Sequence, residues 1–94
     1  MRVKVFAVYD IRAELFGSIF TFSHVGQAVR AFKDLANDRN SSVSRHPGDY
    51  KLAEIGEFDD VNGTLNAADV QYHGFASDYV ELPSAPVEVL RGRS

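Results

Sequence analysis

The chain has 94 residues, of which 45% are hydrophobic and 24% charged, with a formal net charge of -3 and no cysteine. A chain of this size makes one domain, residues 1–94, with a thin core, and its composition excludes both wholesale disorder and a membrane-embedded class. Without cysteine there are no disulfides, no thiolate chemistry and no cysteine-based zinc site, in keeping with a reducing cytoplasm.

The charge is unevenly spread. Residues 1–51 hold eight Lys or Arg against five Asp or Glu, whereas residues 52–90 hold eight acids and no Lys or Arg. A basic side and an acidic side of the folded domain would bear on partners more than the net value does, with a plain solvated acidic hairpin as the rival explanation.

Met1-Arg2-Val3-Lys4-Val5 begins a charged, alternating strand at once, so no targeting segment is expected. No apolar run approaches the roughly 20 residues needed to span a bilayer, and no membrane partner is expected. The first strand, Val3–Asp10, sets Val3, Val5, Ala7 and Tyr9 on one face and Lys4, Phe6 and Val8 on the other. Both faces turn apolar midway, which predicts a central strand covered on both sides. A single helix covers only one of them, so a homodimer, or the C-terminal region, is expected to cover the second. Ile11–Leu15 is a connection, and the second strand, Phe16–Phe22, aligns Phe16, Phe20 and Phe22 as one aromatic stripe.

Ser23 is the expected N-cap of a helix over Val25–Asp38. Val25, Ala28, Val29, Phe32, Leu35 and Ala36 recur with a period of 3.6 and define its buried face. Asn40–Ser44 is a loop, and His46-Pro47-Gly48-Asp49 is a turn leading into a strand over Tyr50–Asp59. Asn62-Gly63 signals a tight hairpin turn of the primed type, followed by a strand over Thr64–Tyr72. Gln71–Leu82 offers further strand material interrupted by Gly74, and Pro83 and Pro86 leave residues 83–94 as a loosely docked tail. The expected fold is α+β: an antiparallel sheet of four to five strands with one helix packed across a face, in the order β-β-α-β-β.

Motifs for catalysis and metal binding are missing. Placing Gly63 at the sixth position of a calcium loop would put Phe58 at the first ligand position, and the flanking helices are absent, so a hairpin turn explains Asp59–Gly63 better. His24, His46 and His73 stand far apart without a ligand three or four residues away, and there is neither a nucleophile elbow nor a phosphate-binding glycine loop. No cofactor, no metal and no enzymatic activity are expected.

Val5-Phe6-Ala7-Val8-Tyr9-Asp10, the run Ala28–Asp38 and the stretch Ser44–Gly63 occur in an order that resembles the small nonstructural protein of gokushovirus-type phages, the Microviridae with single-stranded DNA genomes. The resemblance covers roughly the first two thirds of the chain and fades after Asn66, where Tyr72, Phe75 and Tyr79 depart from it. It implies a non-capsid phage product in the host bacterial cytoplasm that binds DNA, single-stranded DNA above all, during genome replication or packaging. It carries over no catalytic residue.

The residues themselves offer one basic edge for such a role: Arg30 and Lys33 on the polar side of the helix, then Arg39, Arg45 and His46 in the following loop. Cations there would neutralise phosphates, and exposed aromatic rings would stack on unpaired bases. Tyr9, Tyr50 and Tyr72 are the stacking candidates if exposed, Tyr50 being nearest to the cations, while burial under the helix outweighs stacking for Phe16, Phe20 and Phe22. The alternative is an interaction adaptor whose acidic hairpin, Glu54–Asp69, recruits a basic capsid component or a phage or host replication protein.

Overall fold

The alternation from Arg2 to Asp10 makes the longest uninterrupted partner surface in the N-terminal half, and in the computed structural model, which describes residues 1–81, it forms the centre of the sheet. This strand, β1 (Arg2–Asp10), pairs along one edge with β4 (Tyr50–Asp59), from Arg2 opposite Asp59 to Asp10 opposite Tyr50. Its other edge is shared by two short strands, β2 (Leu15–Phe16) and β3 (Phe20–Phe22). The outer neighbour of β4 is β5 (Thr64–Phe75), so the sheet runs β2-β1-β4-β5 with β3 beside β2 on β1, antiparallel throughout. One main helix, α1 (Val25–Ala36), packs on one face. The fold is the α+β arrangement expected.

Several local expectations are corrected. The strand expected over Phe16–Phe22 is broken, because three steps along β1, from Tyr9 to Phe6, are matched by four on the returning chain, from Phe16 to Phe20. A slip of one residue transfers side chains to the opposite face of a sheet. Phe20 and Phe22 therefore pack toward α1, while Phe16 sits beside Tyr9 on the face without a helix. His24, not Ser23, is the N-cap, its backbone N–H donating to the Gln27 side-chain oxygen at 3.0 Å. The helix stops at Ala36 rather than Asp38, because the Asn37 amide turns back to donate to the Lys33 carbonyl at 2.8 Å and the Tyr79 carbonyl at 3.1 Å.

Within the expected loop Asn40–Ser44 a single helical turn, α2 (Ser42–Arg45), begins where Ser41 Oγ accepts the Val43 N–H at 3.0 Å. It is held there by Val43, which is buried. Pro47–Asp49 forms a 3-10 turn. The β4–β5 turn lies where Asn62-Gly63 places it, but it is a four-residue loop in which only Gly63 takes positive φ, +71°. Asp59 organises it, its carboxylate accepting the N–H groups of Val61 and Asn62. The fifth strand expected in Gln71–Leu82 is absent from the described residues: β5 runs on to Phe75, Gly74 adopts φ +103°, and Ala76–Asp78 makes a 3-10 turn. The expected tail, residues 83–94, lies outside the described residues.

The core lies between α1 and the sheet. Phe6, Phe32 and Leu52 are fully buried, and the small Ala28, Ala36 and Ala76 let the helix and the last turn come close. Tyr79 closes the far end, edge-on to Phe32 at 5.9 Å, with its hydroxyl donating to the His73 carbonyl. Leu35, expected inside, lies 36% exposed at the rim. On the other face of the sheet, Val5, Ala7 and Ala53 are buried among their neighbours, but Phe16, Ile19, Leu65, Tyr72 and Phe75 remain exposed. Among the described residues no helix is long and apolar enough to cross a membrane.

Candidate nucleic-acid interface

The basic residues singled out from sequence sit on the helical side of the molecule. Arg30 and Lys33 are exposed on α1, Arg39 follows the helix, and Arg45 ends α2. Lys33 is already paired, its ammonium 3.1 Å from the Glu81 carboxylate. Arg30, Arg39 and Arg45 enter no ion pair among the described residues. Tyr50 joins this region through its hydroxyl, 3.5 Å from Ser42 Oγ on α2, while its ring packs against the core. Arg45 and Tyr50 are thus linked through α2, whereas among the described residues no side-chain hydrogen bond or ion pair joins Arg30 to Arg39.

A second constellation lies on the face that carries no helix. Side chains directly opposite each other on antiparallel strands share a face. The pairs Tyr9 with Phe16, Tyr9 with Lys51, Lys51 with Phe75 and Ala53 with Tyr72 therefore gather four aromatic rings and one lysine from four strands. The Tyr9 ring lies 4.7 Å from Phe16 and 6.2 Å from Tyr72, both tilted. Lys51 Nζ stands 3.9 Å from the Tyr72 centroid and 5.6 Å from those of Tyr9 and Phe75. Phe16 is 44%, Tyr72 45% and Phe75 37% exposed. Lys51 makes no ion pair among the described residues, and its ammonium faces aromatic rings instead.

Exposed rings around an unpaired cation can do two things at once. Ring faces stack on unpaired bases, and the ammonium contacts phosphate or base oxygens. Arg12, exposed in the turn that joins β1 to β2, is the nearest further cation in sequence to Tyr9 and Phe16. Tyr9 and Tyr72 carry the stacking signal that the sequence shows. The aromatic stripe expected over Phe16–Phe22 places Phe16 in the core instead, and Lys51 and Phe75 give no local signal, because only the strand register brings them to the rings.

The acids of the β4–β5 hairpin are largely committed within the chain. Asp60 binds the N-terminal amine at 2.8 Å, Arg2 lies 3.8 Å from Glu57, and Asp59 caps the loop. Those loop N–H groups hold the Asp59 carboxyl below its ordinary value, and the hydrogen bond to Asp60 raises the N-terminal amine. Glu54 accepts from Lys4 at 3.2 Å and meets His73 Nε2 at 2.9 Å. Burial works against its ionisation, but the bonds to His73 and Lys4 outweigh that and leave its carboxyl below the usual range. Among the described residues no group of three or more potential metal ligands comes together.

A family model described as Phage ORF5 protein matches residues 3–79. The chain belongs to that family of phage proteins. The match runs from β1 to Tyr79, so it takes in the region after Asn66 where the resemblance read from sequence fades, and all of Tyr9, Phe16, Lys51, Tyr72 and Phe75 fall within it. Comparison with curated proteins and with solved structures found no match.

Proposed function

We propose that this phage protein binds single-stranded DNA on its helix-free sheet face and serves, without enzymatic activity, in viral genome replication or packaging in the host cytoplasm. The observation that carries this function is the cluster in which Lys51, without an ion pair among the described residues, lies over the rings of Tyr9, Tyr72 and Phe75, with Phe16 beside Tyr9. Duplex DNA keeps its bases stacked and offers nothing to such rings, whereas an unpaired strand exposes them. The gokushovirus-type resemblance, with its single-stranded genome, points the same way. An acidic total charge limits bulk attraction to phosphate, so binding rests on stacking and a few local cations. Arg30, Arg39 and Arg45 add phosphate contacts where a longer strand passes over the helical side.

Fluorescence polarisation with a labelled oligothymidine and with a duplex of equal length, across salt, tests this. Single strands should bind in preference, and Tyr72→Ala should weaken binding by about 1–3 kcal/mol, the usual worth of one base–ring stack. Equal affinity for both DNA forms, or a folded Tyr72→Ala and Lys51→Gln double variant that binds as well as the parent, would remove the site.

A further inference from the structure

We infer that β5 pairs antiparallel with β5 of a second copy of this chain, about a two-fold axis at Asn66, over Thr64–Ala68. Among the described residues β5 pairs with no strand but β4, and the groups that the last turn occupies, the His73 carbonyl by Tyr79 and the Phe75 N–H by Asp78, lie at its far end, away from Asn66. Edge strands are ordinarily guarded by lysine, proline or inward charges, because their free N–H and C=O groups template further pairing. Here the strand has no Lys, Arg or Pro, and its one charge is Asp69.

The register follows from the backbone. The Asn66 carbonyl lies against Gly56 on β4, so it points inward. In an antiparallel ladder neighbouring residues alternate, and Leu65 and Ala67 therefore direct their N–H and C=O groups outward. A two-fold axis at Asn66 sets Leu65 opposite Ala67 of the partner subunit, and Ala67 opposite Leu65 of the partner subunit. Each such pair exchanges two backbone hydrogen bonds. Asn66 meets Asn66 of the partner subunit at the axis, where two amides complement each other.

Charge selects the occupant. From Val61 to Ala68 there is neither acid nor base, so this edge offers no attraction to a basic or an acidic strand, and a neutral strand of the same sequence fits it. Asp69 falls opposite Gly63 of the partner subunit, clear of its own symmetry mate. The seam also borders an apolar groove of about 290 Å³ lined by Val5, Ile19, Ile55, Gly56, Leu65 and Ala67. Ile19 is 58% and Leu65 60% exposed. Leu65 of the partner subunit stands beside Ala67 at the rim of that groove, so the two grooves become one continuous apolar strip. Because the axis is perpendicular to the sheet, both helix-free faces lie on one side and the rings around Lys51 stay open. Dimer and DNA site can therefore fail separately.

The test is sedimentation of the full chain at micromolar concentration with charge swaps at the axis. The parent should sediment as a dimer. Asn66→Lys and Asn66→Asp should each halve the mass while circular dichroism stays folded, and their equimolar mixture should regain the dimer as a heterodimer in native mass spectrometry. Independently of any variant, the Leu65 and Ala67 amides of the parent should exchange slowly when concentrated and fast on dilution. A parent that is monomeric throughout, single variants that remain dimers, a mixture that does not pair, or concentration-independent exchange at Leu65 and Ala67 overturns the inference.

Discussion

Lys51 holds its ammonium 3.9 Å from the centroid of the Tyr72 ring, with no carboxylate partner among the described residues. A half-buried cation over a ring face is worth about 0.5–2 kcal/mol, so the pair ties β4 to β5. In a double-mutant cycle with Lys51→Met and Tyr72→Leu, measured by urea unfolding, the coupling should fall near that value. Additive single effects would mean that the ammonium is not held over the ring in solution.

In the proposed binding mode the helical side contributes charge alone. Reversing Arg30 and Arg45 together should lower single-strand affinity and flatten the log–log salt dependence by roughly 0.7 for each phosphate no longer neutralised. Lys33→Glu should do less than either, since Lys33 already engages Glu81 at 3.1 Å. A folded Arg30→Glu, Arg45→Glu variant with unchanged affinity and slope would confine the DNA to the face around Lys51.

Gly56 has no side chain for a reason found in the sheet. A Cβ there would run into the backbone carbonyl of Asn66, which cannot move without shifting β5 against β4. Gly56→Ala should cost about 1–3 kcal/mol, the range for overpacking a filled site. Chemical denaturation would read it as a lower midpoint with an unchanged slope. A midpoint equal to that of the parent would show that the hairpin yields at this position.

Helix and hairpin are legible in the sequence because both are local. The spacing of Ala28, Phe32 and Ala36 defines one face of α1 without reference to any other segment, and Gly63 marks the β4–β5 turn by its need for positive φ. The face around Lys51 is not legible as a unit. Phe16 differs from Phe20 only through the one-residue mismatch against β1, and no local pattern reports such a slip. Likewise Lys51 meets Phe75 only through the β4–β5 register, which is interrupted twice by irregularities between Lys51 and Gly56. The early end of α1 is hidden too, since Asn37 stops it by bonding to Tyr79, 42 residues away.

Glu54 links three strands, accepting from Lys4 on β1 and meeting His73 on β5 from its own place on β4. Burial alone would raise its carboxyl, yet the bonds to His73 and Lys4 bring it below the ordinary value of 4.5. A carboxyl lowered in the folded state stabilises the fold above its unfolded value, and that contribution is lost as pH falls through the folded value. The parent should therefore lose stability below about pH 4.5 more steeply than Glu54→Gln, and the two unfolding curves should converge in acid. At neutral pH Glu54→Gln should be the less stable of the two, because Lys4 and His73 lose a charged acceptor. Parallel stability curves for parent and variant from neutral pH into acid would show that Glu54 has no preferred charge state in the fold.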